Sequence, residues 1–403
     1  MRVCFYDDST AFGGHEVMAI KAAAALSTCE GWAISFIIWS GNARLRRALE
    51  AENGAGARIS VIENPVRSLR PNPLRAPLAW TSLVRTRRLF QRLAPDVVVV
   101  VQGRIETGLV GLLAARLAGF KVVSYLPMAH TLREMGKRLL PHFRDRINLL
   151  YYRLADGFVT ISPAIEAQVR RFAPRTSIRI VENLVLADPA ARIERGGARA
   201  QLLLPQDRTV VAMIGRVEFS QKGHDLLVRA VADGGSEPAR HLFLVVGDGP
   251  DLDRLKAQVN AAGIADRFAF LPWRDDMVPV YSAIDLLVLP SRFEGVPLVM
   301  LEALAFGVPV VASNRDGMMD WIPPDLRFEP EAPTSAGLLA AITAGIAAAR
   351  SGGPDAALVQ RARRLCDIGR FAADWRIALG EGVRPDFASP VPRATDHAGA
   401  TER

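Results

Sequence analysis

The sequence predicts an α/β protein made of two doubly wound domains, and three observations carry that prediction. Short apolar, β-branched runs alternate with helix-length segments along the whole chain. The 403 residues, 50% of them hydrophobic, exceed what a single core usually supports. A stretch with neither strand character nor a clear helical period, residues 184–207, separates one alternating series from the next.

The first series places strands at Val3 to Tyr6, Ala33 to Ile38, Arg58 to Ile62, Val97 to Val101, Lys121 to Tyr125, Gly157 to Ile161 and Ile178 to Val181. The second places them at Thr209 to Ile214, Leu242 to Val246, Phe268 to Leu271, Leu286 to Leu289 and Val308 to Val311. Strands that are apolar throughout are buried on both faces, which is the condition of a parallel sheet covered by helices. Each half therefore reads as one doubly wound sheet with its ligand crevice at the carboxyl ends of the strands. The expected units are 1–183, a linker 184–207, and 208–370. From Gly382 through Pro385, Pro390 and Pro392 to Arg403 the hydrophobic pattern stops, so 382–403 is expected to be a disordered tail.

Composition narrows the setting. Cys4, Cys29 and Cys366 are odd in number, far apart and without metal-ligand spacing, which fits a reducing compartment. No signal peptide is visible at the N-terminus, and the most apolar windows, Gly108 to Ala118 and Leu338 to Ala349, are too short or alanine-rich to cross a bilayer. A cytoplasmic protein is expected. The net charge of +8 is unevenly placed: residues 1–180 hold 26 Lys+Arg against 13 Asp+Glu, and the remainder 24 against 29. A basic first half suits a polyanionic partner, nucleic acid or an anionic membrane, or is simply a solvated surface.

The residues that suggest chemistry cluster after strands of the second series. Glu294 follows Leu286 to Leu289 and precedes Pro297, which suits the first turn of a helix expected to run about ten residues and stop at Gly307. The free amides of Gly295, Val296 and Leu298 at that helix start would favour a phosphate. Glu302 lies inside the helix among Leu301, Ala303 and Leu304, where a carboxylate is expensive to desolvate unless something such as a ribose pairs with it, or unless it faces solvent. Gly215-Arg216 and Lys222-Gly223 follow Thr209 to Ile214 and offer an arginine fork and a lysine point charge for a diphosphate. Val246-Gly247-Asp248-Gly249-Pro250 is a glycine turn lacking the third glycine of a dinucleotide fingerprint, with Asp248 as a candidate helix cap.

Taken in order, these motifs resemble the retaining glycosyltransferases of the GT-B fold, family 4, over nearly the whole chain. Glu294 and Glu302 match that family's E-x7-E pair. The resemblance implies two Rossmann-like domains facing each other across a cleft, an acceptor-binding domain before a donor-binding one, and a C-terminal helix, 371–381, packing back on the first domain. It implies that Arg216 and Lys222 hold the diphosphate of a nucleotide sugar, that Glu302 binds the ribose, and that Glu294 touches the sugar near its anomeric carbon. Gly215, Gly247, Gly295, Val296 and Leu298 complete the donor cradle. In the first half, Gly13 and Gly14 of Phe12-Gly-Gly-His-Glu16 resemble the loop that approaches the donor phosphate, and His130 falls where the family has a histidine facing the sugar. Catalytic roles are thus expected for His130 and Glu294. His15 is left as loop surface.

Two departures stand out: Leu184 occupies a glycine position in the interdomain turn, and Pro272 in the loop that lies under the base. No cofactor and no essential metal are expected, the Asp251-x-Asp253 string reading as acids at a helix start. The expected partners are a nucleotide sugar and a glycan or lipid-linked acceptor, not nucleic acid. Leu132 to Asp156, where Arg133, Lys137, Arg138, Arg144, Arg146 and Arg153 mix with Leu139, Leu140, Phe143 and Leu150, could lie on an anionic membrane or be an ordinary packed helix. A sugar-nucleotide epimerase and a non-catalytic sugar-nucleotide-binding subunit remain alternatives at this point.

Overall fold

A computed structural model describes residues 1–68, 72–136, 139–234, 241–332 and 334–380. The tail expected at 382–403 lies outside the described residues. Two parallel sheets organise the rest. The first contains β1 (Arg2–Asp7), β2 (Ala33–Trp39), β3 (Ile59–Asn64), β4 (Val97–Val101), β5 (Lys121–Tyr125), β6 (Gly157–Thr160) and β7 (Ser177–Ile180), in the order β3-β2-β1-β4-β5-β6-β7. The second contains β8 (Thr209–Ile214), β9 (His241–Val246), β10 (Phe268–Leu271), β11 (Leu286–Leu289), β12 (Val310–Ser313) and β13 (Arg327–Phe328), in the order β10-β9-β8-β11-β12-β13. The direction of winding reverses between β1 and β4 and again between β8 and β11, and crevices at such points are where open α/β sheets bind ligands. Both sheets are Rossmann-like, doubly wound layers.

The central strands are buried from end to end. Val97 to Val101 and Leu286 to Leu289 expose at most 2% of any side chain. That is why a plain hydrophobic run marked them in the sequence. β13 carries only two residues and left no such run.

The segment 184–207 is more ordered than its composition suggests. A helix, Arg195–Gln201, forms there although its sequence, Arg-Gly-Gly-Ala-Arg-Ala-Gln, has no apolar period. Its organiser is Arg199, fully buried. The guanidinium reaches Asp285 Oδ2 at 2.6 Å and donates to the carbonyls of Ala283, Gln206 and Arg208 at 3.0 Å each. Glu194 caps the helix by accepting from the Gly197 amide at 2.9 Å. A buried charge with every guanidinium nitrogen engaged does the work that hydrophobic periodicity does elsewhere.

After the second sheet the chain returns to the first. The helix Ile368–Leu379 lays Trp375 against Phe5 and Tyr125, with ring centroids 5.9 and 5.4 Å away. The two crossings between domains lie side by side, since the Val185 amide donates to the Leu365 carbonyl at 3.0 Å. The interdomain turn manages without glycine because Leu184 is not in the left-handed region; it is buried, and its amide meets Met18 Sδ at 3.3 Å. Trp375→Ala should cost about 3–5 kcal/mol, the usual loss for truncating a buried aromatic. Chemical unfolding followed by circular dichroism checks this, and an unchanged midpoint would show that the helix adds nothing to the first domain.

Candidate active site

Every loop that matters leaves a sheet at a strand's carboxyl end. Gly13 and Gly14 follow β1, His130 follows β5, Gly215 follows β8, Gly247 follows β9, Glu294 follows β11, and Asp316 follows β12. Two glycines are required by close approach. Gly247 has φ 139°, and a Cβ there would lie 2.2 Å from the Gly215 carbonyl oxygen; a Cβ on Gly295 would lie 2.6 Å from the Pro127 carbonyl oxygen across the interdomain boundary. Gly14 also faces the other domain, its Cβ position 3.4 Å from Leu298. Gly13 precedes the helix Gly14–Ser27 and donates its amide to Glu16 Oε2 at 2.8 Å.

Lys222 and Glu294 form an ion pair, and Ser291 Oγ adds a hydrogen bond to the same Glu294 oxygen at 3.1 Å. Lys222 ends a short helix, Phe219–Lys222. The Glu294 amide donates to Asp316 Oδ2 at 2.8 Å. Asp316 in turn sits 2.8 Å from His130 Nε2 and accepts from Gln168 Nε2 at 2.7 Å, so one carboxylate joins the first domain to the Glu294 loop. Asn183 donates to the Val296 carbonyl at 3.0 Å and pins the next peptide. Among the described residues nothing accepts from the amides of Gly295 and Val296, which precede the helix Leu298–Ala305. That helix has Pro297 as its N-cap, one position earlier than a first-turn proline, and is shorter than the ten residues expected.

The other expected site residues stand apart from this cluster. Arg216 pairs with Glu218 at 2.9 Å and its side chain is 59% exposed, so it and Lys222 rest on different carboxylates. Glu302 is 7% exposed and accepts from the Tyr281 hydroxyl at 2.6 Å and from the amides of Ala187 and Leu186. Burial raises its pKa above the ordinary value, and these three donors oppose the shift. The solvent-facing alternative for Glu302 is thereby excluded. Asp248 is not a helix cap: the helix Leu252–Ala261 has Asp251 at its N-cap, and Asp248 accepts from the Trp273 amide at 3.0 Å. Asp251 Oδ2 accepts from the Phe219 amide at 2.8 Å. Among the described residues no group of His, Cys, Asp or Glu side chains converges as a metal site.

His15 is partly exposed but does not lie in a loop. It belongs to the helix Gly14–Ser27, with Nε2 3.0 Å from Glu16 Oε1, and its ring fills the space beside Gly103. Burial alone would lower its pKa; Glu16 and then Asp7 raise it. His224, at the start of the helix His224–Asp233, is pushed down to about 4 by burial and by Lys222, and stands as a neutral ring behind the lysine. Sequence reasoning missed Asp316 altogether. The one signal was an Asp-Gly pair directly after an apolar strand. Its left-handed φ of 51° is a conformation Asp tolerates better than most residues.

Burial works against a charged His130, but the Asp316 contact and charge, followed by Glu134, outweigh it and raise the pKa above the ordinary 6.5. The pairing with Asp316 therefore contributes fully below pH 6.5 and is lost as pH rises through the elevated midpoint. An NMR titration should find the His130 midpoint above 6.5 and see it fall in Asp316→Asn. A midpoint that does not move would remove the bridge.

In sequence and in fold the chain is similar to known proteins. Residues 13–183 match the model for "Glycosyl transferase 4-like domain", and residues 208–345 match "Glycosyl transferases group 1". The chain is 32% identical over 268 residues to the 2-deoxystreptamine N-acetyl-D-glucosaminyltransferase of Streptomyces fradiae, covering 60% of this chain and 61% of that relative. It is 32% identical over 169 residues to the lipopolysaccharide core biosynthesis glycosyltransferase LpsE of Rhizobium meliloti, covering 42% and 47%. The alignments thus span about half to three-fifths of those relatives' length. Among solved structures, Anabaena Alr3699/HepE in complex with UDP superposes with a TM-score of 0.72 at 20% identity, covering 94% of this chain and 99% of that one. WaaG, a glycosyltransferase involved in lipopolysaccharide biosynthesis, superposes with a TM-score of 0.69 at 18% identity, covering 94% and 100%. With the two family models together spanning most of the chain and the fold shared with these structures over 94% of it, the chain belongs to the group 1 glycosyltransferases of the GT-B fold.

Proposed function

We propose that the protein transfers a sugar from a nucleoside diphosphate sugar to a hydroxyl of a glycan or lipid-linked acceptor, with retention at the anomeric carbon. The observation that carries this reading is the line of contacts from Lys222 through Glu294 and Asp316 to His130, which brings a cation, a carboxylate and an imidazole together at the boundary between the two domains. Relatives named as glycosyltransferases and a similar fold described with UDP support it.

In this scheme the donor diphosphate lies on Lys222, Arg216 and the open amides of Gly295 and Val296, close to Gly14 and Leu298. The sugar rests between Glu294 and His130. Glu302 has three donors in place while a carboxylate offers about four lone-pair sites, so a ribose hydroxyl can be added to its network. The barrier falls mainly because charge developing on the departing phosphate meets groups already oriented for it. The acceptor attacks from the face the diphosphate leaves, and a phosphate oxygen takes its proton. The scheme itself calls for no metal.

The first domain is also proposed to rest on an anionic membrane. Leu139, Leu140, Phe143 and Leu150 are all more than half exposed beside the exposed cations Arg146 and Arg153, while Lys137 and Arg138 lie outside the described residues. Among the described residues no helix is long and apolar enough to cross a membrane. Vesicles containing anionic lipid should sediment the protein at low salt, and equal recovery with neutral vesicles would remove this surface role.

Lys222→Ala should weaken binding of the preferred nucleotide sugar by about 1.5–3 kcal/mol, the range for hydrogen bonds to charged groups. Calorimetry across uridine, guanosine and adenosine diphosphate sugars makes the measurement, and unchanged affinity would sink the clamp. In the same panel slow hydrolysis supports a transferase, whereas an isomerised sugar nucleotide identifies an epimerase. Binding without turnover in the presence of acceptors identifies a silent subunit.

A further inference from the structure

A cavity of about 860 Å³ opens in the first domain beside His130, between the helices Pro141–Tyr152 and Pro163–Phe172. Its size is within the range of roughly 300–1,000 Å³ typical of small-molecule sites. Asp145 and Asn148, three apart on one helix face, both line it. Asp145 Oδ1 accepts from the Leu132 amide at 2.8 Å, but buried Oδ2 has no partner. Asn148 is 5% exposed; its amide nitrogen reaches Glu106 Oε1 at 3.4 Å and its Oδ1 has no partner either. Two buried oxygens without donors are costly unless something supplies them. A polyol does so with its hydroxyls.

Charge adds a second requirement. Glu134, on the same wall, is answered by Arg171 at 3.2 Å and by His130 Nδ1 at 3.6 Å. Arg133 and Arg146 also line the cavity, are exposed, and form no ion pair among the described residues. Arginine forks suit the flat oxygen array of a phosphate or carboxylate. Through His130 and Asp316 the cavity adjoins the Glu294 loop.

We propose that this cavity is the acceptor subsite and that it selects a sugar bearing an anionic group, phosphate or carboxylate, with ring hydroxyls on Asp145 and Asn148 and the anion on Arg133 and Arg146. The proposal rests on the transferase reading above and names the acceptor class that reading leaves open.

The test is calorimetric titration of the full chain with glucose 6-phosphate, glucuronate and glucose, with UDP, GDP and ADP as donor-side controls. At least one anionic sugar binds about tenfold tighter than glucose, the gain from one charge-assisted contact. Which of the two does so separates phosphate from carboxylate recognition. Combining Arg133→Gln with Arg146→Gln reduces that advantage below about threefold and leaves UDP affinity unchanged. Equal affinities for the three sugars, no binding by any of them, or an advantage that survives both replacements overturns the assignment. Should UDP, GDP and ADP all fail to bind while the anionic sugars behave as expected, the donor reading falls and the anion subsite stands. Normal UDP binding with no anionic preference has the opposite meaning.

Discussion

The carboxylate of Asp316 is the point on which both domains turn. It takes the Glu294 amide from its own domain, and the His130 imidazole and Gln168 amide from the other. Each of those groups has further obligations. Glu294 carries Lys222, and Gln168 belongs to the helix Pro163–Phe172, whose Ala164 amide donates to Asp320 at 3.1 Å. Removing one charge would therefore unfasten a loop, an ion pair and an interdomain contact together, which is the behaviour expected of a buried polar network rather than of separate bonds.

Much of the scaffold was legible because parallel strands are buried on both faces, and burial leaves a simple mark. Val97 to Val101 could be little else. The glycines and cations at the strand ends stood out in the sequence for a different reason: they have few structural uses that need that order. What could not be read were features decided at long range. Arg199 organises a helix through carbonyls and a carboxylate as far along the chain as Asp285, and nothing near it in sequence announces this. Asp316 depends on a local backbone twist and on partners from the other domain. Leu184 replaced an expected glycine without disturbing the turn, because burial against Met18 holds an ordinary conformation there. Position was legible for Glu302, but not the three donors that surround it.

Preorganisation in the crevice is uneven, and the unevenness has a physical logic. Lys222 is held by Glu294 at a strand end, and His224 stays neutral behind it and adds no second charge there. Arg216, by contrast, is exposed and paired only with Glu218. An exposed pair of this kind is weak and easily exchanged, unlike the half-buried one at Lys222. The basic character of the first half also resolves into parts: some arginines are spent on internal carboxylates, as Arg144 is on Glu106, and others face outward.

The paired crossings at Val185 and Leu365 have a mechanical corollary. Two tethers set far apart would allow the halves to slide or twist in several directions. Two tethers joined by a backbone hydrogen bond behave as one short axle, leaving rotation as the principal degree of freedom. Displacement then grows with distance from that axle, so the lever arm, more than local softness, decides how far any crevice residue travels.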